Sequence, residues 1–265
     1  MAIENILILG TSLPFYHLHS RFTTSSSDDC NYMITVLTYP SQTLTLPPNS
    51  HQFPVQHKTS DFNSAALQSA FTGYDIILNT MAGGDSDLQI SIINAIVAAA
   101  VKRFVPDEFS HDNLNKQLQA CLPTHAERAK VINHLKNLSD ATRVLAHWEK
   151  TKNQYIYAAG AVISANEVLK SVEEMTGQEF AVGSYGVEEC VEEGWKRIER
   201  GYPDSGLALL ERSILYDGQL NASAPFRIHN ANDMLGLAPE SANSMVTEAY
   251  HRLKHLGKPG CACAT

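Results

Sequence analysis

The sequence predicts an α/β fold, a Rossmann-like doubly wound parallel sheet with a reduced, mainly helical C-terminal lobe. Three observations point there. An apolar run ends at Gly10 and begins like a nucleotide-binding β-α unit. Strand-like and helix-like stretches alternate through the first half, as β-α-β units do. The second half is dominated by amphipathic helical segments separated by turns.

Strands are expected at residues 3–9, 32–38, 53–57, 75–79 and 103–106. Helices are expected near 62–71 and 85–100, the second opening with Asp85 or Ser86 as N-cap. TTSSSDDCN at 23–31 and PSQTLTLPPNS at 40–50 are polar or proline-rich and read as surface loops. Farther on, AERAKVINHLKN places Ala129, Ile132, Leu135 and Leu138 near helical spacing. SDATRVLAHWEK, SANEVLKSVEEM, GVEECVEEGWKRIERG and GLALLERSILYD continue the helical series. Short strands are expected at 154–158 and near 179–183, with TGQEF and GYPDSG as turns. The chain divides into a core domain, 1–150, and a mainly helical substrate lobe, 151–265, that contributes a strand to the core.

At 265 residues, 44% apolar and 18% charged, the chain has the makeup of a soluble globular protein. A net charge of −8 argues against a general nucleic-acid binder. No run approaches the roughly 18 apolar residues of a membrane span, and MAIENILILG lacks the basic start of a signal peptide. A cytoplasmic location is expected. Cys30, Cys121, Cys190, Cys261 and Cys263 are odd in number and scattered, which does not make a disulfide framework.

The loop after Gly10 departs from a dinucleotide site. Phosphate loops use several glycines so that backbone N–H groups close on a pyrophosphate at a helix N-terminus. Here Thr11, Ser12, Leu13, Pro14, Phe15, Tyr16 and His17 follow, with no further glycine before Arg21. His17 and His19 lack a nearby cysteine or carboxylate, so no metal site is expected.

The segment YDIILNT…DLQISIINAIVAAAVKRFVPDEFSHDN carries a pattern that resembles the NmrA-like and isoflavone-reductase-like branch of the atypical short-chain dehydrogenases. The matching residues are Gln89 in a helix, then Val101, Lys102, Arg103, Phe104, Pro106, Glu108 and Phe109. TRVLAHWEKTKNQYIYAAGAVISANEVLKSVEEMTGQEF resembles a later segment of the same family. The resemblance implies a Rossmann-like sheet with a small substrate lobe, and it leaves a homodimer open. Where that family's NADP-binding members place an arginine after the second strand, this chain has Tyr39, which offers a phosphate no charge-assisted contact. Where the family's catalytic lysine stands, it has Arg128, a poor proton shuttle. A strand and an aromatic-rich loop of the family are missing between AKVINHLKNL and SDATRVL.

Ligands of doubly wound sheets sit at the carboxyl ends of strands. Thr11 and Ser12, Met81, Glu108 and Tyr155 are therefore expected to contact substrate, while Arg128, His111, Asp107 and His125 are the expected catalytic residues. Asp107 and Glu108 are adjacent and should point to opposite sides. His125 and Arg128 lie one helical turn apart and share a face. With the phosphate loop altered, no cofactor is expected. The leading expectation is a cofactor-independent enzyme that promotes cyclisation, isomerisation, dehydration or cycloaddition of a small apolar metabolite. Two alternatives stand beside it, a non-catalytic NmrA-like regulatory protein and an NADPH-dependent reductase with an atypical phosphate loop.

Overall fold

The computed structural model describes residues 4–10, 32–44, 55–81, 85–108, 111–139, 155–235 and 237–255. They belong to two compact units, Met1–Tyr155 and Ile156–Thr265.

The first unit is built on a parallel five-stranded sheet. Its strands are β1 (Glu4–Leu9), β2 (Tyr32–Thr38), β3 (Val55–Thr59), β4 (Ile76–Asn79) and β5 (Arg103–Val105). Their order is β3-β2-β1-β4-β5, so the winding reverses between β1 and β4. β1 pairs with β2 from Glu4 opposite Tyr32 to Leu9 opposite Leu37, and with β4 from Ile6 opposite Ile76 to Leu9 opposite Asn79. All strands run the same way, so their carboxyl ends share one edge of the sheet.

β1 sits mid-sheet and is apolar at successive positions because both of its faces are covered. Leu7 and Leu9 join Leu37, Ile77 and Phe104 in one core cluster. Ile6 and Ile8 join Ile34, Val36 and Leu78 in another. The first cluster is closed by α1 (Ser64–Phe71) through Leu67 and Phe71, and by α2 (Ser86–Ala98) through Ile92, Ile93 and Ile96. Each such fully buried side chain contributes roughly 2 kcal/mol through apolar burial. Asp85 caps α2, its side chain accepting from the Asp87 N–H, as the sequence predicts. β3 is an edge strand, and four of its five residues are exposed.

After β5 the chain forms α3 (Lys116–Cys121), capped by Asn115, and then α4 (Pro123–Ser139). Val131 and Leu135 of α4 enter the first core cluster. The short helix α3 is not expected from the sequence.

The second unit contains α5 (Ala165–Thr176), α6 (Val187–Glu199), α7 (Pro203–Tyr216), α8 (Ala224–Ile228), α9 (Asn232–Leu235) and α10 (Ala242–His255). Ser164 and Glu167 form a reciprocal capping box at the start of α5. α6 and α7 pack at very close range because glycines face each other. A Cβ on Gly206 would fall 2.5 Å from the Gly194 carbonyl oxygen.

Two expected strands do not form. Within 154–158 the described residues make a single bridge, Tyr157 to Asn230, supported by the Ala231 N–H donating to the Tyr157 carbonyl at 2.9 Å. Residues 179–183 are all exposed and form no strand, since no neighbouring strand among the described residues completes their hydrogen bonds.

Candidate active site

β1, β4 and β5 deliver their following residues to the same sheet edge. Gly10 closes β1 with φ +84°, a left-handed conformation suited to glycine, and its N–H donates to the Leu37 carbonyl at 2.9 Å. A Cβ there would lie 2.9 Å from Cγ of Met81, so the turn lies close against the second residue beyond β4. β4 is tied back to β1 by Thr80, whose N–H and hydroxyl both donate to the Leu9 carbonyl, at 2.9 and 2.8 Å. Asn79, fully buried, donates to Gln89 of α2 at 2.6 Å and accepts from the Met81 N–H at 3.1 Å. The helix glutamine of the sequence pattern thus fixes the turn after β4.

At the end of β2, Tyr39 packs on Phe62 with ring centroids 4.7 Å apart. Phe62 is buried and holds φ +55°, an uncommon conformation for a bulky residue. Thr38 is fully buried nearby, its hydroxyl 2.8 Å from His57 Nε2.

Beyond β5 lies a buried polar cluster. Arg128 of α4 donates from Nη1 to the Asp107 carbonyl at 2.8 Å and pairs through Nη2 with Asp107 Oδ2 at 3.4 Å. Glu108 takes other partners. Its carboxylate accepts from Asn113 Nδ2 at 2.7 Å and from the Tyr155 hydroxyl. Asn113, fully buried, holds His125, with Oδ1 2.5 Å from Nδ1. The His111 ring meets His125 edge-on, with centroids 5.3 Å apart. His125 is 3% exposed, and its Nε2 has no hydrogen-bond partner among the described residues.

Burial sets the electrostatics here. It raises Asp107 above the ordinary carboxylate range against the pull of Arg128. It also raises Glu108, opposed by the hydrogen bond from Asn113 and by Arg128. Burial, reinforced by His111 and Arg128, lowers His125 to about 4, so its imidazole is neutral at physiological pH. The cluster therefore combines a fixed cation with a neutral base and two carboxyls that resist ionisation.

Of the expected site residues, Asp107, Glu108, His111, His125, Arg128 and Tyr155 come together after β5. Met81 stands at the β1–β4 reversal, partly buried against the core. Thr11 and Ser12, with the whole altered loop, lie outside the described residues. Asn113, the link between Glu108 and His125, is not among the expected residues; an asparagine in the polar run SHDNLN carries no periodic or motif signal.

This is a Rossmann-like fold of the kind seen in solved reductases of the isoflavone-reductase type. No family model matches the chain. The solved structure of isoflavone reductase superposes with a TM-score of 0.57 at 17% identity, covering 94% of this chain and 100% of that one. Leucoanthocyanidin reductase from Vitis vinifera, in binary complex with NADPH, superposes at 0.62 and 14% identity, over 92% and 98% of the two chains. In sequence the chain is similar to oxidoreductase aprR of Aspergillus flavus, 23% identical over 239 residues, 70% of this chain and 79% of that protein. The resemblance read from V-K-R-F-x-P-x-E-F is borne out.

The same findings overturn the leading functional expectation. The sequence relative is named an oxidoreductase and the structural neighbours are reductases, one of them holding NADPH, so the cofactor-independent cyclase, isomerase or lyase reading is withdrawn. The physical reason is identifiable. That reading rests on side chains of residues 11–17, which lie outside the described residues. The described strand end keeps a left-handed glycine.

Proposed function

We propose that this chain is a nicotinamide-dinucleotide-dependent reductase acting on a small, largely apolar molecule. One observation carries the reading. The Gly10 turn stands where the strand order reverses, and a buried acid–base cluster follows the next strand but one along the same edge. That reversal is where doubly wound sheets take their ligands. The name of the sequence relative and the NADPH held by leucoanthocyanidin reductase support the same reading.

The residues at this edge fit such a group. Gly10 and Met81 meet where the strand order reverses, and these two residues would flank the dinucleotide. Tyr39 on Phe62 would provide an apolar surface toward its adenosine half. Tyr39 offers no charge to a 2′-phosphate, so NADH stands beside NADPH as a candidate. When bound, the reduced nicotinamide supplies a hydride. Arg128, anchored on Asp107, keeps a positive charge where a substrate oxygen gains negative charge. His125 offers a neutral ring nitrogen as a hydrogen-bond acceptor that orients the substrate.

The test is loss of nicotinamide absorbance when purified protein meets NADPH or NADH and a panel of small ketones, enones and quinones. The expected result is consumption with at least one pairing, and a fall in kcat/KM of about tenfold or more in Arg128→Leu. No consumption across the panel with either nucleotide contradicts the proposal.

A further inference from the structure

The buried Nε2 of His125 has a consequence for what the site binds. The imidazole is more than nine-tenths buried and, among the described residues, is gripped on one side only. Asn113 determines which side. Its Nδ2 donates to the Glu108 carboxylate at 2.7 Å, so Oδ1 is the amide atom that turns to the imidazole. An amide oxygen only accepts hydrogen bonds. His125 Nδ1 must therefore carry the hydrogen, and Nε2 is left as a lone-pair acceptor. Glu108 is itself steadied by the Tyr155 hydroxyl, and Asn113 is further held by Gln119, whose side chain donates to the Asn113 carbonyl at 2.8 Å.

We propose that Asn113 is a positioning residue that locks His125 in the Nδ1–H form, so that Nε2 accepts a hydrogen bond from a hydroxyl group on the substrate. This deepens the reductase reading and rests on it for taking the cluster as the substrate site. The substrate class follows from donor–acceptor matching. A lone-pair acceptor in a desolvated site costs free energy unless met by a donor, and a carbonyl or ether oxygen cannot supply one. An apolar molecule bearing an alcohol or phenol does. Titration does not undo this at neutral pH, because burial and the facing His111 and Arg128 keep His125 uncharged, while the carboxyls that lie nearby, Asp107 and Glu108, belong to Arg128 and to Asn113 and Tyr155.

Long-range 1H–15N spectra of protein labelled on histidine nitrogens provide the test, with the His125 signals assigned by their loss in His125→Gln. Wild-type protein at pH 7 should show a pyrrole-type Nδ1 and a pyridine-type Nε2. Adding 4-ethylphenol should shift the Nε2 signal, and its methyl ether, nearly the same size without the donor, should leave it in place. In Asn113→Leu the ring should lose its fixed tautomer and show a substantial Nε2–H population. A protonated Nε2 in wild type, equal response to phenol and ether, or no response to phenol overturns the proposal, whether or not Asn113→Leu folds. Because no dinucleotide is present, these outcomes are independent of whether the protein binds NADPH or NADH.

Discussion

At the residue scale, His125 and the Asp107–Arg128 pair make opposite demands on pH. An unfolded imidazole titrates near 6.5, whereas burial holds His125 at about 4. Between these values the unfolded chain binds more protons, so stability falls as pH falls through that window. His125→Gln removes the effect. Wild-type protein should lose on the order of 2 kcal/mol more than the variant between pH 6.5 and 4, as read from urea unfolding at a series of pH values. Asp107 and Glu108 act with the other sign. Their raised values favour the fold at low pH, and that contribution is lost as pH rises past the ordinary carboxylate range. It follows that the two partners of the ion pair are unequal. Asp107→Asn removes a reluctant charge and keeps the backbone carbonyl that receives Arg128 Nη1, and should cost under about 1 kcal/mol. Arg128→Leu leaves that carboxylate buried without its cation and should cost about 2 kcal/mol or more. Denaturant titration of both variants at pH 7 checks the order. Most of these residues are legible in the sequence because carboxylates, histidines and an arginine after a strand and one turn apart on a helix are a recognisable constellation. Asn113 is not legible, because its role depends on which atoms two distant side chains present to it.

At the scale of elements, helices α6 and α7 offer the sharpest test of packing. Glycine to alanine inside a helix ordinarily stabilises by about 1 kcal/mol through propensity. Gly206 should do the reverse, since the added methyl meets the Gly194 carbonyl at 2.5 Å and Ile198 Cγ1 at 2.6 Å, and part of that contact is backbone that cannot rotate away. Gly206→Ala should lose about 2 kcal/mol, while Gly160→Ala, with nothing within 4 Å of its Cβ, should be close to neutral; thermal unfolding distinguishes them. The sheet strands and α2 are readable because apolar runs and the Asp85 cap are local signals. Residues 154–158 and 179–183 mislead because strand character is completed by a partner, and the partners are a single residue, Asn230, in one case and none among the described residues in the other. The first helix after β5 is only six residues long, too short for a periodic pattern to announce it.

At the scale of the whole molecule, the proposed function depends on what the reversal point between β1 and β4 holds. The excess of Asp and Glu over Lys and Arg, 28 against 20, gives no basic balance for nucleic acid, and among the described residues no helix is long and apolar enough to cross a membrane. The fold is legible as a whole because topology follows from the alternation of elements. The proposed cofactor is not, because the lack of further glycines in one loop outweighs, in the sequence alone, a strand end that closes on a left-handed glycine. The measurement that bears most directly on this is a fluorescence titration of the purified full chain with NADPH and, separately, NADH, following nicotinamide emission and tryptophan quenching. Saturable one-to-one binding of at least one of them with a dissociation constant of about 1–100 μM is the predicted result. Neither nucleotide binding at millimolar concentration to correctly folded protein would contradict the account.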